Sequence, residues 1–445
     1  MLYLLGVLLV VLGVGLSIGL HEIGHLVPAK KFGVRVPQYM VGFGPTLWST
    51  KRGETEYGVK AIPLGGYIRM IGMFPPRRGE DPNRIRVSST GRLTQLMDEA
   101  RDQSLSEVLP GDEDRVFYKL SVPKKVIIML GGPTMNLLIA VVVFTGLFML
   151  HGISQTSPVL QSVSKCVDIS AAATSTRTSC TADMPLAPAN AAGLQPGDRV
   201  VSINGVALST WDDARGLIRA NAGKPINLVV ERGGQQLSLT ATPMAVQLPI
   251  YDKYGAEKTD GDGTVLTEQA GFLGAAGTPM VVRQPFSAVP GLIGEQLWQT
   301  AGIIVNLPQK MVGVAKAAFS DEKRDINGPI SVVGVGRVAG EVAATDRIPS
   351  AADKGIVLLS MLGSLNIALF VFNLIPLLPL DGGHVAGALW EGLKRRLYAV
   401  AGKSDPGPVD VTKALPLAYA VASLLIVMSA LLMYADIVNP IKLPG

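Results

Sequence analysis

The stretch "GLSIGLHEIGHLVPAK", near the start of the chain, constrains the fold more than any other. It closes an apolar run, 1–27, that is long enough to cross a bilayer, yet it carries His21, Glu22 and His25. Ionisable groups inside lipid are costly and mark a functional site unless something neutralises them. On a helix, His21 and His25 lie one turn apart on one side, so two imidazoles can share one zinc ion. Glu22 is turned by about 100°, one helical step, and reaches a metal-bound water rather than the metal. This is the H-E-x-x-H arrangement, in which the glutamate is a general base. Two packed histidines without a metal are the bland alternative, and an apolar span gives them little purpose.

Three further apolar runs, 126–150, 355–375 and 413–436, bring the expected spans to four, consistent with 48% apolar and 17% charged residues. The first run lacks a basic leader and a small-residue cleavage site, so it reads as a retained span rather than a signal peptide. Lys and Arg are dense in 28–125, with Lys30, Lys31, Arg35, Lys51 and Arg52 at one end and Lys119, Lys124 and Lys125 at the other. Lys394, Arg395 and Arg396 fall in 376–412. The excess of positive charge places these two segments in the cytoplasm, and both termini, including the tail 437–445, outside. A net charge of +5 with no nucleic-acid motif argues against a nucleic-acid partner.

Between the first two spans, 41–70 alternates and is rich in Gly, Tyr, Val and Ile, which predicts β-hairpins with "KRGE" as a turn. Its Leu, Trp and Ile content suits a hairpin dipping into the membrane interface. Residues 75–115 are polar and read as a flexible insertion. In the outer segment 151–245, "RVVSING" predicts a strand ending in an Asn-Gly turn, "WDDARGLIRA" a helix, and "PINLVVERGGQQLSLTA" a hairpin. The pattern over 159–245 resembles a PDZ domain of the bacterial protease type, which binds extended peptides or filters what reaches a partner; an inert spacer is the alternative. Segment 246–354 contains an amphipathic stretch, broken at Pro308, suited to the outer interface. "GVGRVA" imitates a dinucleotide fingerprint but lacks the surrounding α/β unit. Cys166 and Cys180 fall in the outer segment, where a disulfide can form.

A catalytic zinc needs a third protein ligand and one open position. His151 lies at the wrong end of its span. "NLIPLLPLDGGH", at the inner end of the third, offers Asp381 and His384, and the residues alone leave both open. Pro28 is expected to end the first helix.

"HEIGH" in a first span, "GGPTMN" (Gly131–Asn136) in a second and "NLIPLLPLDGG" in a third together resemble the site-2 protease family of intramembrane zinc metalloproteases. A PDZ-like segment and four spans resemble its bacterial branch, which regulates extracytoplasmic sigma factors. The resemblance implies a membrane α-helical fold of four transmembrane helices, a membrane-associated β-hairpin region and one extracytoplasmic PDZ domain of α+β class. It maps His21, His25 and Asp381 to zinc, Glu22 to the base, and Asn373 to a polar partner of substrate or intermediate. It maps Gly65, Gly66, Tyr67 and Asn136 to substrate contact, and "NGPIS" (Asn327–Ser331) to the region before the third span. It further implies substrates that are single-span membrane proteins (anti-sigma factors and remnant signal peptides), first trimmed by a site-1 protease. A zinc transporter and an inactive PDZ scaffold are the rival readings; against transport, no polar residues are seen to continue outward from the ligands.

Overall fold

The computed structural model describes residues 1–76, 92–167, 180, 184–250, 265–320, 324–325, 328–348 and 350–441. Four helical stretches among them are long and apolar enough to cross a membrane: Leu2–Lys31, Val122–His151, Ala351–Asn373 and Val411–Val438. The chain divides into two compact units. One comprises Met1–Thr145 with Pro290–Gly445, the other Gly146–Val289.

The first unit is organised around α1 (Leu2–Lys31). Pro28 does not end this helix, which continues to Lys31. A proline near a C-terminus forfeits one N–H donor, but its own carbonyl still accepts, here from Phe32 N at 2.9 Å. Small residues set the crossings. Gly24 of α1 meets Gly131 of α3 (Val122–Gly146) so closely that a Cβ on either would collide with the other's carbonyl. Where α1 crosses α8 (Val332–Ala344), a Cβ on Gly6 would collide with the Ala339 carbonyl and the Ala343 side chain, and one on Gly340 with the Tyr3 ring. Close backbone approach through small residues is how helices associate in lipid, where no hydrophobic drive favours contact. "GVGRVA" is interior to α8, and among the described residues no strand leads into that helix, so the fingerprint likeness is a packing surface.

Two strands follow α1: β1 (Gln38–Arg52) and β2 (Thr55–Arg69), joined at Gly53 with φ +63°. Their register doubles back. Met40 is opposite both Gly58 and Tyr67, while Thr50 is opposite Tyr57. Phe43, Leu47, Trp48, Val59 and Ile62 are exposed on this sheet.

Parts of the insertion expected to be flexible are held by buried or paired charges, while residues 109–111, Glu113 and Asp114 are exposed. Helix α2 (Arg92–Ser106) buries Arg101, whose guanidinium meets Asp410 at 3.0 Å and the Thr412 hydroxyl at 2.6 Å. Glu107 pairs with Arg69 and Asp112 with Arg35. A polar composition yields order here because its charges have fixed partners on other elements. Residues 77–91 lie outside the described set.

The second unit begins with β3 (Ile153–Val163), followed by the short α4 (Pro188–Ala191), β4 (Arg199–Ile203), β5 (Val206–Ala207), α5 (Trp211–Ala220) and the β6–β7 hairpin (Ile226–Arg232, Gln235–Ala241). The Asn204–Gly205 turn has positive φ at both residues, as a tight hairpin turn requires. Thr210 and Asp213 form a capping box at the start of α5. The sheet runs β10-β3-β4-β6-β7, so a strand from beyond Ala245, β10 (Ala275–Val282), completes it. The unit therefore extends to Val289 rather than ending at 245. β8 (Met244–Pro249) and β9 (Thr267–Phe272) form a separate ribbon. Cys166 and Cys180 are joined by a disulfide.

The amphipathic stretch is two helices, α6 (Val289–Val305) and α7 (Leu307–Phe319), with Pro308 in the first turn of the second. Of "NGPIS", Asn327 lies outside the described residues. Ser331 N donates to Asp436, which also pairs with Arg324. Asp436 belongs to α11 (Leu415–Val438). α9 (Ala351–Asn373) ends in a loop that leads into α10 (Asp381–Val400).

Candidate functional site

His21 and His25 face one side of α1, as the helical period requires. Their Nε2 atoms are 3.2 Å apart, and Oδ2 of Asp381 lies 3.4 Å from each. These three form the one His/Cys/Asp/Glu group among the described residues with ligand atoms close enough to hold a metal. Bonds of ~2.0–2.1 Å in tetrahedral geometry separate ligand atoms by about 3.3–3.4 Å, so the donor set fits zinc. His384, one turn further along α10, is outside the group, and burial pushes its imidazole below the usual histidine range.

The rings are oriented from behind. Ile128 of α3 accepts from Nδ1 of His25 at 2.7 Å, which leaves Nε2 as a bare lone pair. The Asn136 carboxamide lies against Nδ1 of His21 at 3.1 Å. Asn136 is 1% exposed, and its Oδ1 has no partner in the arrangement with Nδ2 against the ring. When His21 offers Nε2 to a metal, its proton sits on Nδ1. A half-turn of the carboxamide then satisfies Oδ1 with that proton. An orphaned acceptor beside the ring thus fits a liganded histidine. Asn136, expected to touch substrate, is buried against the His21 ring.

Room for an ion comes from Gly132. A Cβ there would overlap Nε2 of His25 and stand 2.7 Å from Nε2 of His21. Both glycines of "GGPTMN" thus have a reason, Gly131 for the helix crossing and Gly132 for the cavity. On α10, Gly382 and Gly383 let the first turn press against the backbone of Leu374–Leu378, which fixes Asp381 at the helix start.

Glu22 is buried beside the group, with the backbone N–H of Ile68 facing its carboxylate. Gly66 backs onto it, since a Cβ there would stand 3.0 Å from Glu22 Cγ. Gly65 has φ +95° and lies under the Phe43 ring, which stacks on Tyr67. β2 therefore runs past the candidate base. Asn373 ends α9, half-buried, and its side chain makes no hydrogen bond to another described residue.

The family model for "Peptidase family M50" matches residues 9–404. The chain belongs to peptidase family M50. As an M50 peptidase of the site-2 protease family it is a metalloprotease and an integral membrane protein, and zinc is the cofactor expected of that family. It is 33% identical over 451 residues, the whole of both chains, to zinc metalloprotease Rip1 of Mycobacterium tuberculosis. It is 28% identical to zinc metalloprotease RasP of Geobacillus kaustophilus over 446 residues, 90% of each chain. It is also 28% identical to metalloprotease MmpA of Caulobacter vibrioides over 397 residues, 87% of this chain and 86% of that one.

One-turn spacing outward from His21 brings in two polar residues that the sequence reading passed over. Ser17 donates to Gly13 O at 3.0 Å and accepts from Asn366 at 2.9 Å, both residues being buried. An Asn and a Ser in apolar spans, at positions facing each other only after α9 packs on α1, are the sole signal the sequence carried for this pair.

Proposed function

We propose that this M50 peptidase hydrolyses peptide bonds in or near the transmembrane helix of single-span membrane proteins, with zinc held by His21, His25 and Asp381. The observation that carries the reading is the convergence of those three ligand atoms within 3.2–3.4 Å, beside Glu22, in helices apolar enough to cross a membrane. Zinc, when bound there, polarises the scissile carbonyl and acidifies a water. Glu22 takes the water's proton and delivers it to the leaving amine. Asn373 donates from its carboxamide to the oxygen on which charge develops. Asn136 and the Ile128 carbonyl hold the two imidazoles in the tautomer that leaves Nε2 free.

A substrate helix hides its amides, so it must unwind before it can be cut. Strand β2, around Gly65, Gly66 and Tyr67, receives the unwound segment by strand addition, next to the base. The Lys and Arg distribution supports a cytoplasmic position for the β1–β2 sheet and α10 and an extracytoplasmic one for 151–354. The β3–β4–α5–β6–β7 order in that unit supports a PDZ-type filter for substrates already trimmed by another protease. By resemblance, the substrates are anti-sigma factors and remnant signal peptides.

The Ser17–Asn366 pair gives the transporter reading one polar step outward. The pair carries no charge and its donors are taken up, by Ser17 Oγ, Leu362 O and Gly13 O, although Asn366 Oδ1 has no partner among the described residues, so it favours helix packing over ion passage. The test is co-expression with candidate single-span proteins, comparing wild type with Glu22→Gln. The variant should retain stoichiometric zinc and lose cleavage. Undiminished cleavage by the variant, or wild-type protein without zinc, would overturn the reading, and zinc flux in liposomes would favour the transporter.

A further inference from the structure

Helix α10 presents two faces with unlike surroundings. On one, Ala388 and Glu391 are buried. The Glu391 carboxylate accepts from Lys125 of α3 at 2.8 Å, from Arg395 at 3.0 Å and from Val409 N at 3.1 Å. On the other, Leu389, Leu393, Leu397 and Val400 recur at helical spacing and are 49–89% exposed, with Trp390 at 55% beside them. Single exposed leucines are ordinary, but a continuous stripe of this length is not left facing water.

Three features say what covers the stripe. The first is position. α10 leaves the span α9 through residues 374–380 and reaches the span at Val411 through 401–410. Its Gly392 stands 3.3 Å (as a Cβ) from Val122, the first residue of α3. The helix is thus tied at both ends and in the middle to the level where three spans open. The second is charge. By helical angle, Arg396 borders one edge of the stripe and Lys394 the other, with Lys403 just past the C-terminus. None of these three pairs with a carboxylate among the described residues; Lys394 and Lys403 lie 5.8 and 5.9 Å from the Tyr398 ring centre. The third is a cavity of about 390 Å³ between α10 and the start of α11, lined by Leu377, Leu378, Trp390, Val411 and Leu417 with Lys413. An apolar stripe edged by cations is the signature of a helix lying in the plane of an anionic membrane surface.

We infer that α10 is an in-plane anchor whose apolar stripe seats in the acyl boundary of the leaflet while Lys394, Arg396 and Lys403 bind anionic phospholipid headgroups. The anchor reaches the metal centre through the backbone, because Asp381 is the first residue of the same helix. Seating α10 on anionic lipid holds the carboxylate end in place, so zinc retention rises with anionic lipid content. This consequence rests on the zinc reading above; the docking does not.

The described chain has no free cysteine, so Leu393→Cys supplies a single thiol for a spin label on the full-length protein. The labelled protein is placed in vesicles of phosphatidylcholine alone or with added phosphatidylglycerol. In the mixed vesicles the label should meet dissolved oxygen and escape a water-soluble nickel complex, whereas a label at Ser404→Cys should meet the nickel complex. Phosphatidylglycerol should deepen the Leu393 site, and combined Lys394→Gln, Arg396→Gln and Lys403→Gln substitution should remove that dependence, each charge being worth about fivefold in partition. A Leu393 label that meets nickel as freely as the Ser404 label overturns the docking. So does one shielded from both probes, which would mean that protein covers the stripe. Lipid contact indifferent to phosphatidylglycerol and to the triple substitution overturns the headgroup assignment. Zinc retention against a chelator is scored separately, and equal retention in both vesicle types overturns only the coupling to Asp381.

Discussion

A Cβ on Gly132 would occupy the space in front of Nε2 of His25. By propensity alone, Gly132→Ala should stabilise α3 by up to about 1 kcal/mol. We expect the opposite outcome at the site: zinc content and cleavage both fall to background while the purified protein stays folded. Metal analysis beside circular dichroism checks this, and a zinc-replete active Gly132→Ala would remove the cavity from the argument.

On the proposed reading Asn136 is a positioning residue, acting through His21. Loss of a group that orients a metal-bound imidazole typically costs 10–100-fold in metal affinity. Asn136→Ala should lower zinc affinity by about that much, measured by chelator competition, with excess zinc restoring most of the cleavage rate. If Asn136 instead contacts substrate, KM rises and zinc affinity is unchanged.

Lys125 and Glu391 form a buried ion pair, with side chains 5% and 3% exposed. Removing one partner strands the other, so Glu391→Ala should destabilise the protein by about 3–5 kcal/mol. The double replacement Lys125→Met with Glu391→Leu should cost much less, because neither charge remains. Thermal unfolding of the three variants in one detergent distinguishes a stranded charge from lost packing.

In the Gly146–Val289 unit, burial raises the Asp198 carboxyl, but Arg232, which it meets through two hydrogen bonds at 2.7 Å, and the Gln195 N–H outweigh it and hold it below the usual range. A depressed carboxylate pKa contributes stability above its unfolded value of about 3.9 and loses it as pH falls through the folded value. The unit should therefore open more readily below about pH 4. Hydrogen exchange of β4 and β6 across that range should show the transition, and Asp198→Asn should remove it while lowering stability at neutral pH.

The sequence alone determined what depends on neighbours along the chain. Helical period put His21 and His25 on one face with Glu22 beside them, and run length marked four spans. An Asn-Gly pair fixed the turn after β4, and an amphipathic stretch split at its proline. Asp381 was legible only through resemblance, because nothing local distinguishes it from His384. Packing decided the rest, through partners far apart in sequence. Ile128 and Asn136 reach the histidines across 103 and 115 residues. Arg101 orders a polar insertion through Asp410, 309 residues away, and β10 closes a sheet begun by β3. Such pairings are set by where helices cross and strands register, which residue spacing does not encode. Pro28 shows the same limit on a small scale: local rules expect a helix end there, and one lost hydrogen bond in a last turn was too little to enforce it.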